Sequence, residues 1–151
     1  MPRQIPKVGD IFVVPLADGS RCIGQVLEIV PILMNSITCA FFDRHTSEDS
    51  PEAANLTLSE ENTLACQFVT RDLFNRGVWK RIGNRNPTIK EALYPYRETK
   101  GKGWIGAKVI GSGIIESFLN AYFGLGDWEE MKDPDYYNKL LFKGRKGPKC
   151  A

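Results

Sequence analysis

The sequence predicts an α+β fold: a strongly bent antiparallel sheet or small SH3-like barrel of five or six strands, with two C-terminal helices packed on it. Three observations carry this expectation. Short apolar runs alternate with turn-forming residues from Val8 onward. The stretch from Gly111 to Leu141 then repeats apolar residues at helical spacing. The chain has 151 residues, 42% hydrophobic and 25% charged, which suffices for one core without disulfides or metal. A single domain over 1–142 and a flexible basic tail at 143–151 follow.

A first strand is expected around Ile11–Val14, ended by Pro15, with a turn at 17–20 where Gly19 tolerates positive φ. The second runs over 21–30 and stops at Pro31; Gly24 inside it marks a bulge, or a bend where another backbone approaches. The third spans Ile37 to Asp43. An antiparallel meander is the simplest topology for three strands so close in sequence. Residues 44–62 turn polar and acidic, with Leu56 and Leu58 as moderate apolar anchors; the stretch reads as a solvated loop with a short helix at Pro51–Asn55. Strands resume at 64–70 and 77–84, around a turn or one helical turn at Asp72–Arg76. Residues 86–103 hold too much Pro, Gly and charge for a long element and read as a connector. A last strand, 104–111, leads into the helices.

In the first of these, Ile114, Ile115, Phe118, Leu119, Tyr122 and Phe123 share a stripe, with Ser112 as the expected N-cap and Gly124 as the left-handed C-terminal residue. A second start is expected at Asp133, with Pro134 at the first helical position.

Chemistry is sparse. His45 is the only histidine, which excludes paired-histidine catalysis and His-rich metal sites, and no catalytic residue is assigned. The Gly111–Gly113 turn lacks the rest of a phosphate-binding fingerprint. The acidic cluster from Asp127 to Asp135 lacks calcium-loop spacing, so neither a metal nor a cofactor is expected. Cys22, Cys39, Cys66 and Cys150 are scattered; the first three read as reduced core thiols and Cys150 as exposed. No apolar run reaches membrane-spanning length and the start lacks a secretory h-region, so a cytoplasmic protein that does not enter a membrane is expected.

The net charge of +2 divides unevenly: −5 over residues 1–62, +6 over 63–103, −3 over 104–142 and +4 over 143–151. Arg71, Arg76, Lys80, Arg81 and Arg85 lie in the basic stretch 71–102, interleaved with Phe74, Trp79, Tyr94 and Tyr96. Phosphate neutralisation plus base stacking would use such a mixture, so a small nucleic-acid-binding module is the second reading.

Two stretches resemble the immunity protein 26 family of bacterial polymorphic-toxin systems. One is VGDIFVVPLADGSRCIGQVL at 8–27; the other is GSGIIESFLNAYFGLGDWEEMKDPDYYNKLL at 111–141, while 44–103 contributes little to the likeness. The resemblance implies a cytoplasmic, non-enzymatic protein that binds and neutralises a cognate toxin domain, and it leaves the oligomeric state open. The matching residues Gly9, Asp10, Pro15, Gly24, Gly124, Trp128, Asp133 and Pro134 are then structural. The residues that choose a toxin should fall in the unmatched middle. For a toxin with a basic cleft, Glu48, Asp49, Glu52, Glu60 and Glu61 are the candidate contacts; for an acidic toxin, the basic segment takes that role.

Overall fold

A computed structural model describes residues 3–31, 35–48, 51–143 and 145–148. Asp49 and Cys150 therefore lie outside the described residues. Six strands, β1 (Asp10–Pro15), β2 (Arg21–Val30), β3 (Ser36–Thr46), β4 (Thr63–Val69), β5 (Lys80–Asn84) and β6 (Val109–Ile110), form one sheet in the order β5-β1-β2-β3-β4-β6. β1 to β3 make the expected antiparallel meander, which continues into β4, and β5 returns to pair with the free side of β1. Register shifts interrupt the β1–β5, β2–β3 and β3–β4 pairs, and such bulges bend a sheet. β5 and β6 remain as edges, so the sheet is bent and open, not a closed barrel.

One pairing departs from the antiparallel expectation. β6 runs parallel to β4 through only Phe68↔Val109 and Val69↔Ile110. Residues 85–108 carry the chain from the β5 edge to the opposite edge, and it arrives there in the direction of β4. Parallel neighbours need such a long crossover, which leaves no local sequence signal.

Both faces of the sheet are covered. On one, Phe12, Phe41, Trp79 and Phe74 of the one-turn helix α1 (Asp72–Asn75) pack with Ile115, Phe118 and Leu119 of α2 (Ser112–Tyr122) and with Tyr137 and Leu140 of α3 (Tyr136–Leu140). Phe12 stacks on Trp79 at 5.3 Å with 2° between the rings, and meets Phe41 and Phe74 edge-on. On the other face, Ile11, Ile23 and Phe42 lie beneath Leu56, Leu58 and Ile89. Leu56 and Leu58 are 6% and 4% exposed, so they pin the acidic loop as a lid, a larger role than the moderate anchoring expected. A third cluster joins Phe68, Val30 and Trp104, with Tyr96 packed against it.

The motif residues have clear structural tasks. Gly9 has φ +93°, and a Cβ on it would lie 2.7 Å from the Arg85 carbonyl oxygen, so only glycine fits there. Asp10 is 1% exposed and accepts from the Lys7 backbone N–H (2.9 Å), Asn84 Nδ2 (3.0 Å) and Arg81 Nη1 (3.2 Å), tying β1 to β5. Pro15 closes β1 opposite Arg21. Gly24 does sit at a register shift, but what approaches it is the Phe12 side chain, not a backbone. Trp128 packs on Phe118 and Tyr137 and donates its indole N–H to Asn138 Oδ1 at 2.9 Å.

The helix ends are partly as expected. Gly124 has φ +83°; its N–H reaches the Ala121 carbonyl and that of Leu125 the Asn120 carbonyl, a Schellman close. Ser112, however, is the first helical residue and not the cap, which is Gly111. Its backbone N–H is bound by Thr70 Oγ1 at 2.8 Å, and its hydroxyl donates to Asp72 Oδ1 at 2.7 Å. α3 also begins later than expected. The Asp133 carbonyl accepts from Tyr136 N–H and its carboxylate from Asp135 N–H, so Asp133 and Pro134 form a turn before the helix.

Candidate functional site

The acidic loop is built on the rim of the sheet. β3 continues beyond the expected Asp43 to Thr46, and the side chains of Asp43, Arg44 and His45 emerge from the protein there. Two single-turn 3-10 helices follow, at Ala53–Asn55 and Glu60–Asn62. Between them Leu56 and Leu58 point into the core, and the Leu56 carbonyl accepts from Arg85 Nη2 at 2.7 Å. The second turn is locked by Asn62 Oδ1, which accepts the Ser59 N–H at 2.8 Å, and by the Thr63 hydroxyl on the Ser59 carbonyl at 2.7 Å. These bonds are local and were not legible as a pattern.

The structure divides the candidate carboxylates into two groups. Glu48 and Glu52 are exposed and line a hollow of about 280 Å³ with Arg44, Thr46, Asn55 and Leu56. Glu60 and Glu61 line a wider groove of about 490 Å³, where they face Lys143, Arg145 and Lys146 over the apolar floor of Leu93 and Phe142. The expected acidic surface is thus two patches, and the second is mixed in sign.

Arg145 is the residue that sequence reading missed. It lies in the segment expected to be a flexible tail, yet its guanidinium donates to the Thr63 carbonyl (2.9 Å), the Glu61 carbonyl (3.0 Å) and the Asp43 carboxylate (2.7 Å). Tyr122 adds its hydroxyl to the same Asp43 oxygen at 3.0 Å. Nothing local in FKGRKG signals contacts with residues more than eighty positions away.

The basic segment does not assemble into one platform. Arg71 binds Asn35 Oδ1 at 3.0 Å, Arg81 is paired with Asp10, and Arg85 is committed to the Leu56 carbonyl. Arg76 and Lys80 are exposed. Phe74 and Trp79 are fully buried, so their faces are closed to nucleic-acid bases. Tyr96 leans on Phe68, and Tyr94 lies beneath the Arg97 guanidinium at 5.2 Å. Arg97 in turn pairs with Glu28 at 3.4 Å and with Glu91, stapling the 91–104 crossover to β2. His45 packs on Phe123 with ring centroids 4.5 Å apart. Among the described residues no group of three or more His, Cys, Asp and Glu is placed to hold a metal ion, and no helix is long and apolar enough to cross a membrane.

The fold and this surface define an α+β protein whose distinctive features are charged loops clamped onto a two-faced core. The chain belongs to the immunity protein 26 family: the family's model matches residues 7–103. The match includes the Gly-Asp opening and reaches through the middle of the chain, where the sequence likeness was weak, and it stops before the helical stretch 111–141. No curated protein and no solved structure matches the chain.

Proposed function

We propose that this chain is a non-enzymatic immunity protein of the cytoplasm that binds a cognate toxin domain and blocks it through the 44–62 loop. Family membership supports a role against a toxin. The observation that supports this particular surface is the division of the loop's side chains: Leu56 and Leu58 are buried beneath it while Glu48, Glu52 and Glu61 are exposed. The loop is also clamped by Arg85 and Arg145. Carboxylates displayed on a clamped segment lose little conformational freedom on binding, and they draw in a basic partner. A toxin with a basic cleft, as in a nuclease, suits this surface best.

The test is charge reversal of Glu48, Glu52, Glu60 and Glu61 together with Asp49. Circular dichroism should be unchanged, because exposed loop substitutions shift stability by only about 0.5 kcal/mol each. Protection in cells co-expressing the toxin should be lost, chiefly through slower association. Survival equal to the parent would overturn the assignment of this loop.

A further inference from the structure

Ile5, Val8, Val78 and Ile105 are the exposed large hydrophobic residues among those described, and the first two lie on a segment bonded to β5. Residues 4–8 run along the β5 edge as a strap. Gln4 fastens it: its side-chain amide donates to the carbonyls of Phe74 and Trp79, both at 2.8 Å, and its Oε1 accepts the Arg81 N–H at 3.0 Å. Arg81 Nη1 donates to the Ile5 carbonyl at 3.2 Å and Asn84 Nδ2 to the Val8 carbonyl at 3.0 Å. So fastened, the strap leaves Ile5 65% and Val8 52% exposed. Val8 lines a groove of about 610 Å³ with Ile82, Lys7 and Arg81. Single exposed apolar side chains are ordinary, but two held outward on one fastened strap, one of them lining a groove, mark an interaction surface.

The chemistry of the groove selects its occupant. Among the described lining residues the one carboxylate, Asp10, is buried and paired with Arg81, so the exposed charge at the groove is that of Lys7. Gln4 occupies the Arg81 N–H and a bulge breaks the β1–β5 register, which blunts the edge against an added strand. A partner must therefore dock by side chains. The seam with the acidic loop is direct: a Cβ on Gly83 would lie 2.7 Å from that of Ala53, which follows Glu52. The groove, lined by Gly83, therefore adjoins the Glu52 side of the acidic loop.

We propose that the β5 edge and its strap form the apolar anchor of the toxin interface and receive an apolar projection of the toxin bordered by carboxylates. This rests on the immunity reading above. The opposed charges on the two sides of the anchor fix the orientation of the toxin, and the apolar contact supplies most of the affinity.

The probe is a purified toxin domain against which the parent protects cells in co-expression, titrated calorimetrically into the parent, an Ile5→Asp/Val8→Asp variant and the charge-reversed loop variant. Both strap substitutions are at exposed positions, and an unchanged unfolding midpoint confirms the fold. The strap variant is expected to bind about 100-fold more weakly than the parent. Parent-like binding by the strap variant, with loss in the loop variant, would overturn the anchor and leave the immunity reading standing. No binding by the parent would overturn both. Two further outcomes would also overturn it: displacement of the toxin by a DNA or RNA oligomer in the parent but not in the strap variant, or a parent dimer in sedimentation that the strap substitutions dissociate.

Discussion

Phe12 and Gly24 face each other across the β1–β2 pair, and the Phe12 ring fills the space a side chain at 24 would need: a Cβ there would lie 2.5 Å from the ring Cζ. Phe12 cannot easily yield, since it is stacked on Trp79 and wedged edge-on against Phe41 and Phe74. Gly24→Ala should therefore lower stability by about 1–3 kcal/mol, the usual cost of overpacking a tight core. Urea unfolding measures it. An unchanged midpoint would mean that the aromatic cluster has room to rearrange.

Asp72 and Glu116 should give opposite pH signatures. Burial alone would raise the Asp72 carboxyl, but hydrogen bonds from Ser112, Thr70 and the backbone outweigh it and hold the group below 3.8. Its stabilisation is therefore present above the carboxylate range and is lost as pH falls through the lowered value. Glu116 is raised above 4.5 by burial and by the nearby Asp72 charge, against the indole N–H of Trp79. Ionised Glu116 then weakens the fold at neutral pH, and protonation relieves it. Asp72→Asn should lower the neutral-pH Tm and Glu116→Gln should raise it. Both differences should shrink on acidification. Thermal melts from pH 7 down to pH 3 check the signs.

The described thiols should be inert in the folded protein. Cys22, Cys39 and Cys66 are free and buried, in agreement with their reading as core residues. Burial raises the pKa of all three, Cys66 to about 12, so almost no thiolate forms near neutrality. Iodoacetamide with peptide mapping should label these three only after denaturation. Rapid labelling of Cys22 in the native state would contradict the packing of the helix-covered face.

Arg145→Ala should loosen the acidic loop from outside it. The substitution removes bonds to two main-chain carbonyls and to Asp43, a loss of about 1.5–3 kcal/mol for charge-assisted contacts. Hydrogen exchange should accelerate at the amides around Glu61–Leu64 while the β1–β2 amides stay protected. Unchanged exchange at Glu61–Leu64 would show that Ser59 and Asn62 hold the turn unaided.

These contrasts show which physical information the sequence carries. β1 and β2 were legible because a short apolar run and the stops at Pro15 and Pro31 are local. α2 was legible for the same reason, down to the left-handed Gly124. The start of α3 was misplaced because Asp133 and Pro134 suit a turn and a helix start equally. β6 was overlong in the sequence reading because its extent is decided by pairing with β4, some forty residues away. The acidic loop looked solvated because its charges outnumber Leu56 and Leu58, whose burial depends on the far side of the sheet. Candidate charges could be named from sequence, but not how they group: Glu48 and Glu52 part from Glu60 and Glu61, and Arg81 and Arg85 are spent on internal contacts. Ile5 and Val8 stood in a polar opening with no period to mark them.

The covering of one sheet face by α2 and α3 has a consequence for how the chain is made. During synthesis β1 to β5 emerge first, and the apolar side bearing Phe12, Phe41 and Trp79 has no cover until Leu140 has left the ribosome. At about 5–20 residues per second, the interval from the end of β5 is roughly 3–10 s. Through that interval the nascent chain presents an open aromatic surface to its surroundings. The helices, translated after the strands they cover, decide whether those strands are soluble, and a ribosome stalled short of α2 would release a sticky product.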